Sequence, residues 1–362
     1  MAGAVGRGPG VGRGALTARV VVCGLGAVGS RTARQLASSP EVERLIVVDR
    51  EPHRSEAVAR SLGPVAEQRP WHADLLRTAD ALVLAAPLAQ PSPVRPRSAV
   101  PITAHLVEAA LARGVAVVSV ADGIADVEAL LRLDGAARSG GVPLVVGAAM
   151  APGLSDALAR LGAEELDAVD EIHVAKAGTG GPACAREHHR ALGGEAIDWR
   201  DGQWARRPGG SGRELAWFPD PIGGQDCYRA GLPDALLLVP AFEAVRRVTA
   251  RVAATRRDRL TAALPMLRPP HPEGEVGAVR VEVRGWRGGS RQAVVLGSID
   301  RPAVAAAAVA AVSVLWAVAG RFREARAAGL AELLVDPGPF LAELARRGVK
   351  AALFEGGAAP VP

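Results

Sequence analysis

The run Val20-Val21-Val22-Cys23-Gly24-Leu25-Gly26-Ala27-Val28-Gly29-Ser30 constrains this chain more than any other passage. A short apolar strand enters G-x-G-x-x-G, and behind it Ala33, Leu36 and Ala37 fall on one face of a helix. Gly24 allows a tight turn, Gly26 admits a pyrophosphate to the backbone N–H groups, and Gly29 permits close packing of helix on strand. Leu25, Ala27 and Val28 complete the loop, which would hold a diphosphate at the positive end of the helix. Glycine is common here (42 of 362 residues), so the hexapeptide gains its meaning from context. A second apolar strand, Leu45–Val48, ends in Asp49, twenty residues after Gly29. That is the place for a carboxylate that accepts hydrogen bonds from an adenosine ribose. Asp49 would repel a 2′-phosphate and favours NAD, whereas Arg50 beside it could pair with that phosphate and keeps NADP open.

From 18 to 150 strand and helix patterns alternate at short intervals. The expected strands are Val20–Cys23, Leu45–Val48, Val65–Gln68, Ala81–Ala86, Val115–Val120 and Leu144–Gly147. Helices are expected near Arg31–Ser38, Ser55–Leu62, Ile102–Ala112 and Val127–Ala137. Several strands are unbroken apolar runs, as when helices cover both faces of a parallel sheet. The fold class that follows is α/β, with a doubly wound parallel Rossmann sheet of six strands. The Pro-rich stretch Leu88–Pro101 leaves the carboxyl end of a strand, where ligands bind in such sheets, and reads equally as a lid or an idle loop.

After Pro152-Gly153 the pattern changes. Val169–Lys176 reads as a strand, Asp198–Trp204 as a hairpin about Asp201-Gly202, and Val276–Ile299 as a hairpin about Gly288-Gly289. The expected division is a tail over 1–17, a dinucleotide domain over 18–150, an α+β mixed-sheet substrate domain over 151–300, and helices over 301–362 that return to the first domain.

Composition narrows the function classes. The charge is +5 and only Lys176 and Lys350 are lysines, so the basicity is arginine. No arginine block is interleaved with aromatics, which make up 3% of the chain, so a nucleic-acid partner is not expected. Cys23, Cys184 and Cys227 are too scattered for a disulfide framework, and a reducing, cytoplasmic setting follows. The first seventeen residues hold no apolar core of a secretory signal. Pro302–Gly320 lacks charge and approaches membrane-spanning length, but it is half alanine and opens with Asp300 and Pro302, a helix-start signature. A buried helix is expected there, and no membrane partner.

Taken with Ala85-Ala86-Pro87, Gly147–Ser155 and the closing Asp336–Leu341, the cofactor strand resembles the saccharopine dehydrogenase-like family of NAD(P)-dependent oxidoreductases. The resemblance covers both ends of the chain and is poor in the middle. It implies an inserted substrate domain, a homodimer, and oxidation at the C–N bond of an amino acid or reduction of an amine-derived imine. It places Ala86 and Pro87 at the cofactor and Pro152, Gly153 and Leu154 beside the nicotinamide and substrate.

Read on its own, the middle offers two polar clusters. In Ala177–Arg190 a glycine-rich loop is followed by Arg186, Glu187, His188, His189 and Arg190. A histidine there could exchange a proton with a substrate amine, and either arginine could hold a carboxylate through two prongs. Adjacent histidines point different ways on a helix, so no metal is expected. The second cluster, Asp220–Arg229, contains Asp226 and the sole tyrosine, Tyr228, as further proton-handling candidates, and Cys227, which as a nucleophile would need a positive charge nearby. Three alternatives stand beside the dehydrogenase: an amine-joining synthase that uses NAD transiently, a sugar or polyol dehydrogenase, and a non-catalytic dinucleotide sensor. The second usually carries Glu-Lys-Pro after its fifth strand, a tripeptide this chain lacks.

Overall fold

The computed structural model describes residues 17–88, 104–266 and 269–354. The amino-terminal tail except Thr17, most of the Pro-rich stretch after Leu88 and the first two residues of the helix expected from Ile102 lie outside that range.

Six strands form a parallel sheet: β1 (Ala18–Cys23), β2 (Val42–Val48), β3 (Ala66–Gln68), β4 (Ala81–Leu84), β5 (Ala116–Ser119) and β6 (Leu144–Val145). Their spatial order is β3-β2-β1-β4-β5-β6, the doubly wound order, and every pairing is parallel. The crossovers carry α1 (Ala27–Ala37), α2 (Pro52–Leu62), α3 (Ala104–Leu111), α4 (Ile124–Leu131) and α5 (Asp134–Gly140). The helix expected over Val127–Ala137 is thus two helices. Asp134 opens the second, and its carboxylate accepts the Ala327 N–H at 2.9 Å. That bond docks a further short strand onto β6.

A mixed sheet of nine strands forms the second layer. After α6 (Leu154–Ala163) come β7 (Ala168–Ala177), α7 (Pro182–Gly193), β8 (Glu195–Arg200), β9 (Gln203–Pro208), β10 (Glu214–Trp217) and β11 (Gly224–Arg229). Then follow α8 (Asp234–Leu238), β12 (Arg247–Ala253), α9 (Arg256–Thr261), β13 (Gly277–Arg287) and β14 (Ser290–Asp300). Strands β7 and β12 pair in parallel, and their other partners run antiparallel. Both hairpins expected from the sequence are present, as β8–β9 and β13–β14.

The chain returns through α10 (Pro302–Val318), β15 (Ala327–Ala328), α11 (Leu330–Leu333) and α12 (Pro337–Arg346), and closes with β16 (Ala351–Phe354). Residues Ala305–Ala317 of α10 are all buried, and the helix packs on α1 and on the sheet at β4 and β5. An alanine-rich helix that is apolar all round is stable in such a place because small side chains let it approach two layers at once. No helix among the described residues is long and apolar enough to cross a membrane. Strand β15 extends the parallel sheet to seven beside β6. The end of the chain differs from the sequence expectation: β16 pairs antiparallel with β14 and completes the edge of the mixed sheet.

Candidate active site

The glycine loop has the geometry its sequence requires. Gly24 has a φ of +91°, and a Cβ there would meet Ala86 Cβ and the Ala85 backbone at 2.8–2.9 Å, so β1 and the end of β4 approach as closely as two backbones can. A Cβ on Gly29 would lie 1.8 Å from the Gly24 carbonyl oxygen. Gly26 is different. It caps α1 without any side-chain hydrogen bond, and a Cβ added there would meet nothing within 4 Å. Open space over an uncapped helix start is what a diphosphate needs. The residues present therefore fit a dinucleotide.

Asp49 closes this loop from the end of β2. Its carboxylate, 5% exposed, accepts the Leu25 N–H at 2.6 Å and the Glu51 N–H at 2.9 Å. The guanidinium of Arg54 stands 3.3 Å away, while Arg50 points outward, 3.8 Å from Glu51. Arg54, in the first turn of α2, carries no signal in the sequence that sets it apart from Arg50, the immediate neighbour of Asp49.

The second glycine-rich loop comes to meet the first. Gly181 caps α7 with a φ of +119°, and a Cβ on it would sit 2.7 Å from Ala27 Cβ at the start of α1. Arg31 of α1 is ion-paired with Glu273 just beyond that contact. Two helix starts from different sheets thus converge on one place.

Beside this junction lies a polar cluster that sequence reasoning identified only in part. Lys176, at the end of β7, is buried and donates to the Ala151 carbonyl at 2.8 Å. Ala151 begins the turn through Pro152, Gly153 and Leu154; the Ala151–Pro152 bond is cis and all three following residues are buried. Gly153 is obligatory, since with φ +117° a Cβ would lie 2.4–2.6 Å from the backbone of Gly147 and Ala149. Asp122 enters three residues after β5, and Asp126 in the first turn of α4 accepts the Leu88 N–H at 3.0 Å, tying down the end of the β4 segment beyond Ala86 and Pro87. From α7 come Cys184, Glu187 and His188, and from the start of α8 comes the fully buried Asp234. Cys184 and His188 are one turn apart and share a face; the thiol sulfur lies 3.6 Å from His188 Nε2, which is 3.9 Å from Asp122 Oδ2.

Burial governs the protonation of this cluster. It raises the carboxyls of Asp126 and Glu187, helped by the Asp122 charge and opposed by Arg190. It raises Asp234, with Lys176 pulling the other way. Burial, then Asp122, pushes the Cys184 thiol well above its ordinary value. Burial and then Lys176 depress His188 to about 3, so this imidazole is neutral across the physiological range. It does not titrate near neutrality as an exposed histidine would.

The remaining sequence candidates lie elsewhere. His189 faces the other side of α7, where Nε2 meets the Leu264 carbonyl at 2.7 Å. Arg186 and Arg190 are exposed, and Arg190 pairs with Glu187. Tyr228 is buried in the mixed-sheet core with the Arg259 guanidinium 4.2 Å over its ring, and Asp226 pairs with Arg213 at 2.9 Å. The Cys227 thiol is pushed up to about 12 by burial and stays protonated.

Residues 20–86 match the model of the TrkA-N domain. No curated protein matches the chain significantly. Among solved structures, the apo saccharopine dehydrogenase (L-Glu forming) from Saccharomyces cerevisiae superposes with a TM-score of 0.65 at 13% identity, over 93% of this chain and 100% of that one. The chain has a saccharopine dehydrogenase-like fold. Looser similarities are to C. glutamicum DAP dehydrogenase in complex with DAP (TM-score 0.49, 13% identity, 90% of this chain and 95% of that one) and to amine dehydrogenase from Mycobacterium smegmatis (0.48, 13%, 88% and 98%). At these scores they carry no weight. Within the saccharopine dehydrogenase-like fold, the doubly wound sheet supplies the dinucleotide cradle and the mixed sheet supplies Lys176 and α7.

Proposed function

We propose that this protein is an NAD(P)-dependent oxidoreductase acting at the C–N bond of an amino acid or of an amine-derived imine. The observation that carries the reading is Lys176: a buried side chain, fixed on the Ala151 carbonyl within electrostatic reach of Glu187 and Asp234, one loop away from the open cradle at Gly26. Ligands of doubly wound sheets bind beyond the carboxyl ends of the strands, and Asp122, Ala151 and Leu88 all lie just past such ends. When bound, the nicotinamide takes up or delivers a hydride at C4.

The protein's part is positioning and proton management. Lys176 offers a point charge for a substrate carboxylate and a donor for a developing anion, and Glu187, within its electrostatic reach, favours an ammonium or iminium nearby. Oxidation removes one proton and one hydride from H–C–N–H to leave C=N; water then adds to give a carbonyl compound and a free amine. Glu187, half-buried and raised, is suited to hold the proton. Arg186 and Arg190 stand too far into solvent to fix a buried carboxylate. Asp49 supports NAD as the coenzyme, and Arg54 offers a partner to a 2′-phosphate.

Calorimetric titration with NAD, NADH, NADP and NADPH, followed by a panel of amino acids and keto acid–amine pairs read by nicotinamide absorbance, tests the proposal. Lys176→Met should leave dinucleotide affinity intact and lower turnover at least ~10²-fold, the size of a lost donor to a developing anion. Absence of dinucleotide binding by folded protein, or a Lys176→Met variant with unchanged turnover, would overturn it.

A further inference from the structure

We propose that Asp122, Cys184 and His188 form a binding site for one zinc ion, with three protein ligands and the fourth position open. Their ligand atoms all lie within 4.8 Å of one another, although Asp122 comes from the loop after β5 and the other two from α7. Zn–S near 2.3 Å and Zn–N near 2.05 Å at the tetrahedral angle set the sulfur-to-nitrogen separation at about 3.6 Å. The observed Cys184–His188 separation is 3.6 Å. The same construction sets nitrogen to oxygen at about 3.4 Å, and the observed 3.9 Å closes with a small rotation of the partly exposed Asp122 side chain.

A second observation points to a ligand. His188 is 7% exposed, yet its Nδ1 is buried with no partner among the described residues, and Nε2 has only the two long contacts to sulfur and carboxylate. An imidazole buried with so little hydrogen bonding is costly, and a metal bond would offset that cost. Cys184 enters the site as a thiol, with one proton on sulfur. Zinc replaces that proton: the S–H bond breaks, a Zn–S bond forms, and the proton leaves to solvent. One thiolate and one carboxylate then balance the ion's two charges, while Lys176 stays on the Ala151 carbonyl. A thiolate, an imidazole and a carboxylate select zinc or cobalt over magnesium and calcium, and three ligands with a vacant position are the catalytic pattern rather than the structural one.

The test is metal binding, so its outcome is separate from that of the dinucleotide reading. Chelator-stripped protein should take up one zinc per chain against a competing chromophoric chelator. Cobalt in its place should give the visible bands of a tetrahedral site with a thiolate charge-transfer band. Cys184→Ser should abolish that band and weaken affinity at least tenfold; Asp122→Asn should keep the band and weaken affinity by at least as much. Sub-stoichiometric uptake, an octahedral cobalt spectrum, or a charge-transfer band that persists in Cys184→Ser would each overturn the site. If Cys184→Ser does not fold, unchanged zinc affinity in Asp122→Asn overturns it instead.

Discussion

Gly26 and Gly29 belong to one motif, but their surroundings predict opposite consequences for the same methyl group. At Gly26 a Cβ meets no protein atom within 4 Å, and the φ of −71° is open to any residue. Alanine is a poorer helix cap than glycine by about 0.5 kcal/mol, while the loss of unfolded-state freedom returns about 0.4–1 kcal/mol. The two nearly cancel. With about 2.1 cal/mol/K of unfolding entropy per residue, 1 kcal/mol moves the Tm of a chain this long by only ~1.3 °C. Gly26→Ala should therefore melt within ~1 °C of the parent. Dinucleotide at a hundred times its Kd stabilises by about 2.7 kcal/mol, a rise of ~3–4 °C. A methyl in the diphosphate cradle that weakens binding tenfold, about 1.4 kcal/mol, halves that rise at the same concentration. Gly29→Ala instead puts a Cβ 1.8 Å from the Gly24 oxygen, which only separation of α1 from β1 can relieve. It should lose more than ~4 kcal/mol whether or not ligand is present. Scanning calorimetry with and without dinucleotide reads both effects. A Gly26→Ala protein that keeps the full ligand-induced rise would refute the placement of the diphosphate.

Asp156, fully buried beside Asp234, has its carboxyl raised to about 8 by burial and then by that neighbour. The folded state therefore holds a proton that the unfolded state releases above pH 3.8, so this group's stabilisation is full below pH 3.8 and is lost as pH rises to about 8. Asp156→Asn should remove that loss, so that its Tm relative to the parent climbs between pH 5 and pH 8; a constant difference would contradict the assignment. His188 acts in the opposite sense between its ordinary 6.5 and about 3, which is why the difference between the two proteins is the quantity to measure. Asp49→Ala strips two half-buried N–H groups and Arg54 of their partner. It should cost about 2–3 kcal/mol by denaturant titration and weaken NAD more than NADP, since the carboxylate that repels a 2′-phosphate is gone.

The dinucleotide half was legible because its signals are local. The glycines, the strand before them and Asp49 lie within thirty-odd residues, and burial of a parallel sheet on both faces leaves unbroken apolar runs. The short strand Ala327–Ala328 has no period to detect and exists because Asp134 and β6 receive it. The polar cluster was half legible for the same reason. Glu187 and His188 announced themselves as chemistry-bearing neighbours, but the helix face that turns His188 inward turns His189 to Leu264. Asp122, Lys176 and Cys184 come from three separate segments, and no spacing rule joins them. Burial also changed the chemistry of what was found, taking His188 far from the neutral range that sequence alone suggests.

In a chain whose basicity is arginine, evolution of base composition would place arginine wherever a positive charge suffices, yet the penultimate residue of β7 is one of only two lysines. An arginine at 176 would present a planar fork too wide for a single carbonyl and could never release a proton. Lysine presents a compact charge that one backbone oxygen can hold and that a reacting group can approach or deprotonate. The bond to Ala151 matters in that light: it fixes the ammonium through the turn containing Pro152 and Gly153, so the part of the mixed sheet that reaches the site is registered directly on the part of the Rossmann domain that does. Lys176→Arg is therefore expected to be as damaging to turnover as Lys176→Met. A charge-conserving variant that restored activity would mean that the position needs only a cation.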